Sequence, residues 1–205
     1  MGVAKGAGGC PQIQWSADKE TMFFDGKPLT MVKFHDFILK LIDSAEELLC
    51  KELLFCKDFS RVREIDLMKV KDDVNNRTIA FSFIDEPSNH LSGGRERVIA
   101  NLQQQQPAWK VLTRTEGGRI HFEPKEVAEY TSKAETFLEQ LLVLIHLTGR
   151  QPARGTELTT IRHRNVLQNL RNIYIEDGQV IVVIEAHKSQ AVMDEPCVIS
   201  RFLPS

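Results

Sequence analysis

The stretch Arg171-Asn-Ile-Tyr-Ile-Glu-Asp-Gly-Gln-Val-Ile-Val-Val-Ile184 reads as two β-rich runs across an Asp-Gly dipeptide. Both central residues of a type I′ turn need positive φ, which Asp-Gly supplies cheaply, and the twist of that turn matches paired strands. The spacing therefore predicts that residues 173–176 pair antiparallel with residues 179–184. A third β-rich piece, Cys197 to Phe202, is expected to return and complete a small three-stranded sheet. Upstream, Pro124 opens a long helix, since proline is tolerated at a first helical position. Its stripe of Val127, Tyr130, Ala134, Phe137, Leu138, Leu141, Leu142 and Ile145 recurs at helical spacing. Gly149 ends it. The nearly all-apolar last turn, Val143 to Leu147, predicts a buried spine for the C-terminal unit, and a short helix is expected from about Ala153 to Arg162.

Working back from there, Phe34, Phe37, Ile38, Leu41, Ile42, Ala45, Leu48, Leu49 and Leu53 form one stripe of a long amphipathic helix from Thr30 to Phe55. Residues 57–77 are rich in charge, and residues 78–84 read as a short strand or as irregular chain. Gly93 and Gly94 precede a short helix that ends before Pro107, with the glutamines from Gln103 on a solvated face. Glu116-Gly117-Gly118-Arg119 is a turn signal and a candidate boundary between two helical layers. The expected fold class is thus α+β and mainly helical. A flexible tail covers residues 1–29, a helical region residues 30–120, and a helical core with its small sheet residues 121–205.

Composition narrows the function classes. The chain of 205 residues is 42% hydrophobic and 26% charged, the balance of an ordinary globular protein. Its greasiest segment, Phe137 to Leu147, is broken by Glu139, Gln140 and His146, so no span of the roughly 20 apolar residues a membrane helix needs is present. The Gly-rich start has no apolar core of a secretory signal. Cys10, Cys50, Cys56 and Cys197 lack paired CxxC spacing, which implies reduced thiols and an intracellular setting. The scattered histidines offer no metal-ligand spacing, so neither metal nor cofactor is expected. A net charge of −2 argues against a protein that coats nucleic acid indiscriminately.

One region is locally basic. Between Thr148 and Arg171 stand Arg150, Arg154, Arg162, Arg164 and Arg171 with His163, against the single acid Glu157. Arginine suits phosphate because its planar fork donates paired hydrogen bonds and keeps its charge. Arg154 and Glu157, three apart, share a helix face, so the carboxylate can orient the guanidinium. A plain surface ion pair satisfies the same spacing.

The string Leu147-Thr-Gly-Arg-Gln-Pro-Ala-Arg-Gly-Thr-Glu-Leu-Thr-Thr-Ile-Arg-His-Arg-Asn-Val166, followed by the hairpin and Lys188, resembles the tyrosine recombinase (phage integrase) catalytic domain. There a helix ending in Thr-Gly is followed by an Arg-x-x-Glu-Leu helix and a three-stranded sheet that carries a lysine on a β-turn. Thr148-Gly149, Arg154-Gly155-Thr156-Glu157-Leu158 and Lys188 match these elements, with Arg150-Gln151-Pro152-Ala153 as an insertion. The phrases Gln151 to Leu158, Arg171 to Gly178, His187-Lys188 and Arg201-Phe202-Leu203-Pro204 look closer still to the recombinase-like segment of fungal telomere-linked, RecQ-helicase-associated proteins. The resemblance spans roughly residues 81–204 and is specific from Leu141 onward. It implies that Arg154 clamps the scissile phosphate, that Glu157 supports it, and that Lys188 is the general acid for the leaving oxygen. Arg150, Arg162, Arg164 and His187 would add nucleic-acid contacts. Lys188 also fits the role of a solvated turn residue.

The family's second arginine in a His-x-x-Arg segment, its further His or Trp and its tyrosine nucleophile have no counterpart among these residues. Tyr130 and Tyr174 fall in a helix stripe and a strand, as packing residues do. The resulting expectation is a nuclear, truncated or degenerate recombinase-like domain. It would grip duplex DNA weakly without cleaving it alone, with a helicase or the missing recombinase half as partner. The alternative is a helical protein-interaction module on the same scaffold without nucleic-acid function.

Overall fold

The computed structural model describes residues 13–56, 65–149, 155–186 and 197–203. Its fold is α+β, with helices and small antiparallel sheets. The chain divides into two compact units, Met1–Asp43 and Ser44–Ser205.

In the first unit β1 (Ile13–Trp15), β2 (Thr21–Phe24) and β3 (Lys27–Thr30) form an antiparallel sheet in that order. The tail expected over residues 1–29 is therefore sheet from Ile13 onward. The overlooked signal is Asp25-Gly26, whose φ values of 48° and 77° make the same two-residue turn foreseen at Asp177-Gly178. Helix α1 (Met31–Glu47) follows directly, with Thr30 Oγ1 accepting the Lys33 N–H at 3.3 Å as a helix cap.

The foreseen amphipathic helix continues past α1 as a π-helical segment, Leu48–Leu53. It ends with the Cys56 N–H on the Cys50 carbonyl and with Phe55 at a φ of 52°. This is the left-handed termination usually left to glycine. Side chains from elsewhere satisfy the freed carbonyls: Tyr130 Oη donates to Leu53 O at 3.1 Å, Asn101 Nδ2 to Leu54 O at 3.0 Å and Gln105 Nε2 to Phe55 O at 3.0 Å. Gln105 is thus a capping residue and not merely part of a solvated face.

Residues 65–93 are irregular with short 3-10 turns, which resolves the open reading of 78–84 against a strand. Two buried asparagines organise this stretch. Asn89 accepts the Lys71 N–H and donates to Lys71 O and Phe83 O, all at 2.8 Å. Asn165 donates to Asn76 O and Thr78 O at 2.9 and 3.0 Å. Buried backbone groups need partners, and these amides supply what a strand ladder would have.

α2 (Gly94–Gln104) and α3 (Gln106–Leu112) meet at Gln105, with Pro107 in the first turn of α3. The Gly117-Gly118 turn, with φ values of 56° and 76°, joins β4 (Thr113–Glu116) to β5 (Arg119–Phe122). It closes a hairpin instead of separating layers, and the boundary expected at residues 120 and 121 falls inside β5.

α4 (Pro124–Thr148) packs along the π-helical segment. It is not the buried spine its stripe suggested. Only its last turn enters the core, through Ile145, whereas Leu138 is 60% and Leu141 39% exposed. Within the stripe, Tyr130, Ala134, Phe137 and Leu142 are half-buried. After α5 (Gly155–Leu158), β6 (Ile173–Glu176), β7 (Gln179–Ala186) and β8 (Cys197–Phe202) form the expected sheet in the order β6-β7-β8. Its registers pair Ile173 with Val182 and Val182 with Arg201.

Candidate nucleic-acid interface

The C-terminal core explains how the elements of the basic region are held. Ile145 of α4, Leu158 of α5, and Val182 and Ile184 of β7 are buried together, with Leu142, Ile161 and Leu203 packed against them. In the chain, Arg150 and Arg154 fall between α4 and α5, and His187 and Lys188 fall between β7 and β8. These four residues lie outside the described residues, as does the side chain of Glu157.

Gly149 has a steric reason to be glycine. A Cβ there would come within 2.6 Å of Ile145 O and 3.2 Å of Arg201 Cδ. The stem of Arg201, fully buried on β8, thus runs beneath the end of α4. A cation at that position also suits the negative end of a helix macrodipole. The motif Thr148-Gly149 was legible in the sequence; the residue that crosses it was not.

The two described candidate arginines differ. Arg162 is half-buried, its backbone tied to Asn172 through Asn172 N–H to Arg162 O at 2.7 Å and Arg162 N–H to Asn172 Oδ1 at 3.0 Å. Arg164 is committed within the chain. Its Nη1 donates to Ala80 O at 2.6 Å and pairs with the Asp85 carboxylate. It fastens the 165 region to the irregular stretch, so its charge is matched by an internal acid instead of standing free for phosphate.

Arg171, the last arginine of the basic string, is buried outright. Its Nη2 donates to Asp72 Oδ1 at 2.5 Å and to Asp73 O at 3.0 Å. The guanidinium carbon lies 4.9 Å from the centre of the Phe81 ring and 4.5 Å from that of Tyr174. Asp72 Oδ2 accepts the Ile175 N–H at 3.0 Å, which ties the pair to β6. Burial pushes the Asp72 carboxyl above its ordinary value, opposed by the Ile175 amide and by Arg171, both of which favour the charged form. Tyr174 Oη donates to Arg171 O at 2.7 Å and Tyr130 Oη to Leu53 O, so both tyrosine hydroxyls serve the backbone. Burial raises the Tyr130 phenol.

No family model and no solved structure matches this chain.

Proposed function

We propose that the C-terminal part of this chain is a DNA-binding, recombinase-like domain that grips the phosphate backbone of duplex DNA without completing strand cleavage alone. The observation that supports the reading is the core of Ile145, Leu158, Val182 and Ile184. It unites the helix end before Arg150 and Arg154, the helix after them, and the strand before His187 and Lys188. The connection that carries Arg150 and Arg154 and the one that carries Lys188 thus depart from elements of one core, which is how converging phosphate donors are built from distant sequence. Arg154 and Lys188 would hold the phosphate, Glu157 would steady Arg154, and a helicase or a complementary recombinase half would act beside it in the nucleus.

The test is a fluorescence-anisotropy titration of the full chain with a labelled duplex at rising salt. Binding at low ionic strength should fade steeply, because neutralising phosphates releases counterions. Absence of binding at low salt overturns the reading, and a covalent protein–DNA adduct overturns its non-cleaving part. The second reading, a protein-interaction module without nucleic-acid function, draws support from Arg164 and Arg171, whose charges are matched inside the fold.

A further inference from the structure

We propose that a groove between α2, α3, β5 and the first half of α4 docks a basic amphipathic helix of a partner protein. The groove has a volume of about 630 Å³, with Phe55, Ile99, Leu102, Phe122, Val127 and Tyr130 along its floor, and among the described side chains none that lines it is charged. Ile99, Phe122 and Val127 are exposed, at 41%, 50% and 38%. Large apolar side chains left together in solvent mark an interaction surface, whereas scattered ones do not.

Charge identifies the occupant. Around Phe55, Leu112 and Tyr130 the floor opens into a second cleft of about 270 Å³, whose charged lining is Glu52, Glu126, Glu129 and Lys133. Lys133 holds Glu52 at 3.0 Å and Glu129 at 3.2 Å, while Glu126 adds a third carboxylate to the lining, so acids outnumber the one ammonium there. An apolar floor with an acidic end complements a helix whose apolar residues recur at i, i+3, i+4 and i+7 and whose flank carries lysine or arginine. The walls are preformed. Phe55 is fixed in the left-handed region and its ring stacks on Tyr130 at 5.8 Å, while Asn101, Gln105 and Tyr130 hold the three carbonyls behind it. A site that need not order itself keeps more of its contact energy for binding. At 1.5 Å per residue, Tyr130 lies roughly 22 Å along α4 from Ile145, so the groove is separate from the arginine-bearing end.

Trp109 reports on the site, since its ring meets that of Phe122 edge-on at 6.4 Å. The full chain carrying Trp15→Phe, with Trp109 as its one tryptophan, is titrated with a synthetic helical peptide bearing leucines at the stated spacing and lysines on its flanks. A peptide with glutamates replacing the lysines is the control. The lysine peptide is expected to shift Trp109 emission, and Phe122→Asp or the pair Glu126→Lys with Glu129→Lys should each weaken it by about tenfold or more. The charge-reversal pair changes residues at the groove's acidic end, so it decides the matter even where Phe122→Asp disturbs β5, and circular dichroism verifies the fold of both. No binding of the lysine peptide, equal binding of the glutamate peptide, or indifference to charge reversal overturns the proposal. Self-association in sedimentation velocity that Phe122→Asp abolishes also overturns it, because a second copy would then be the occupant. The DNA titration reads Arg154 and Lys188 instead, so either proposal can fail without the other.

Discussion

Arg171 and Asp72, 99 residues apart in sequence, form an ion pair in which neither side chain is exposed to solvent. Among the described residues, Arg171 Nε and Nη1 have no hydrogen-bond acceptor, and the faces of Phe81 and Tyr174 cover the guanidinium instead. Desolvating two charges is costly, and their attraction offsets this only in good geometry. The pair's structural consequence is attachment: Asp72 belongs to the irregular stretch and, through the Ile175 amide, fastens it to β6.

Removing one partner leaves the other charge buried alone, so Arg171→Ala and Asp72→Ala should each cost about 3–5 kcal/mol in urea denaturation. The double replacement Arg171→Met with Asp72→Leu should recover most of that loss. If both alanine variants lose less than about 1 kcal/mol, the pair is not the tether described.

Gly149→Ala should destabilise by about 1–3 kcal/mol, because the new methyl meets the Ile145 carbonyl and the Arg201 stem. Adding Arg201→Ala cannot restore stability, since the shorter contact is with backbone and a buried side chain is lost as well. A neutral Gly149→Ala in thermal unfolding would mean that the end of α4 has room to shift.

What could be read in the sequence was local. Asp177-Gly178 announced its hairpin because turn chemistry acts within four residues, and the pairing partners of β6 and β7 follow from it. The same signal at Asp25-Gly26 is weaker because Pro28 stands within β3, where a proline argues against a strand. Periodicity identified the apolar residues of α4 but could not say which of them a neighbour covers. Arg164 reads as a phosphate donor, and Arg171 as part of the same basic string, because their acids, Asp85 and Asp72, stand 79 and 99 residues away. Sequence spacing can suggest a pair three residues apart, such as Arg154 and Glu157; it cannot reveal a pairing made by tertiary structure.

The uneven burial of α4 separates two neighbouring leucines. Leu142 packs against the core around Ile145, whereas Leu141 is 39% exposed. Leu142→Ala should therefore cost about 2–3 kcal/mol and Leu141→Ala under about 1 kcal/mol. Equal costs in parallel denaturation curves would show that α4 is covered on both sides in solution.

The DNA reading divides the arginines in the same way. Arg154 is proposed to meet phosphate with a fork steadied by Glu157, so Arg154→Ala should weaken duplex binding. Arg154→Lys should weaken it too, because an ammonium retains the charge and loses the paired donors. Arg164 already serves Ala80 O and Asp85, so Arg164→Ala should alter stability with little change in affinity. The pair is about two-fifths exposed on the arginine side, where such contacts contribute on the order of 1 kcal/mol or less. Anisotropy titrations at one fixed low salt, beside thermal melts of the same three variants, measure both quantities. Should Arg164→Ala lose as much DNA affinity as Arg154→Ala while melting unchanged, the Asp85 contact must open to admit phosphate. Indifference of binding to both Arg154 variants, with the fold intact, would instead favour the protein-interaction module.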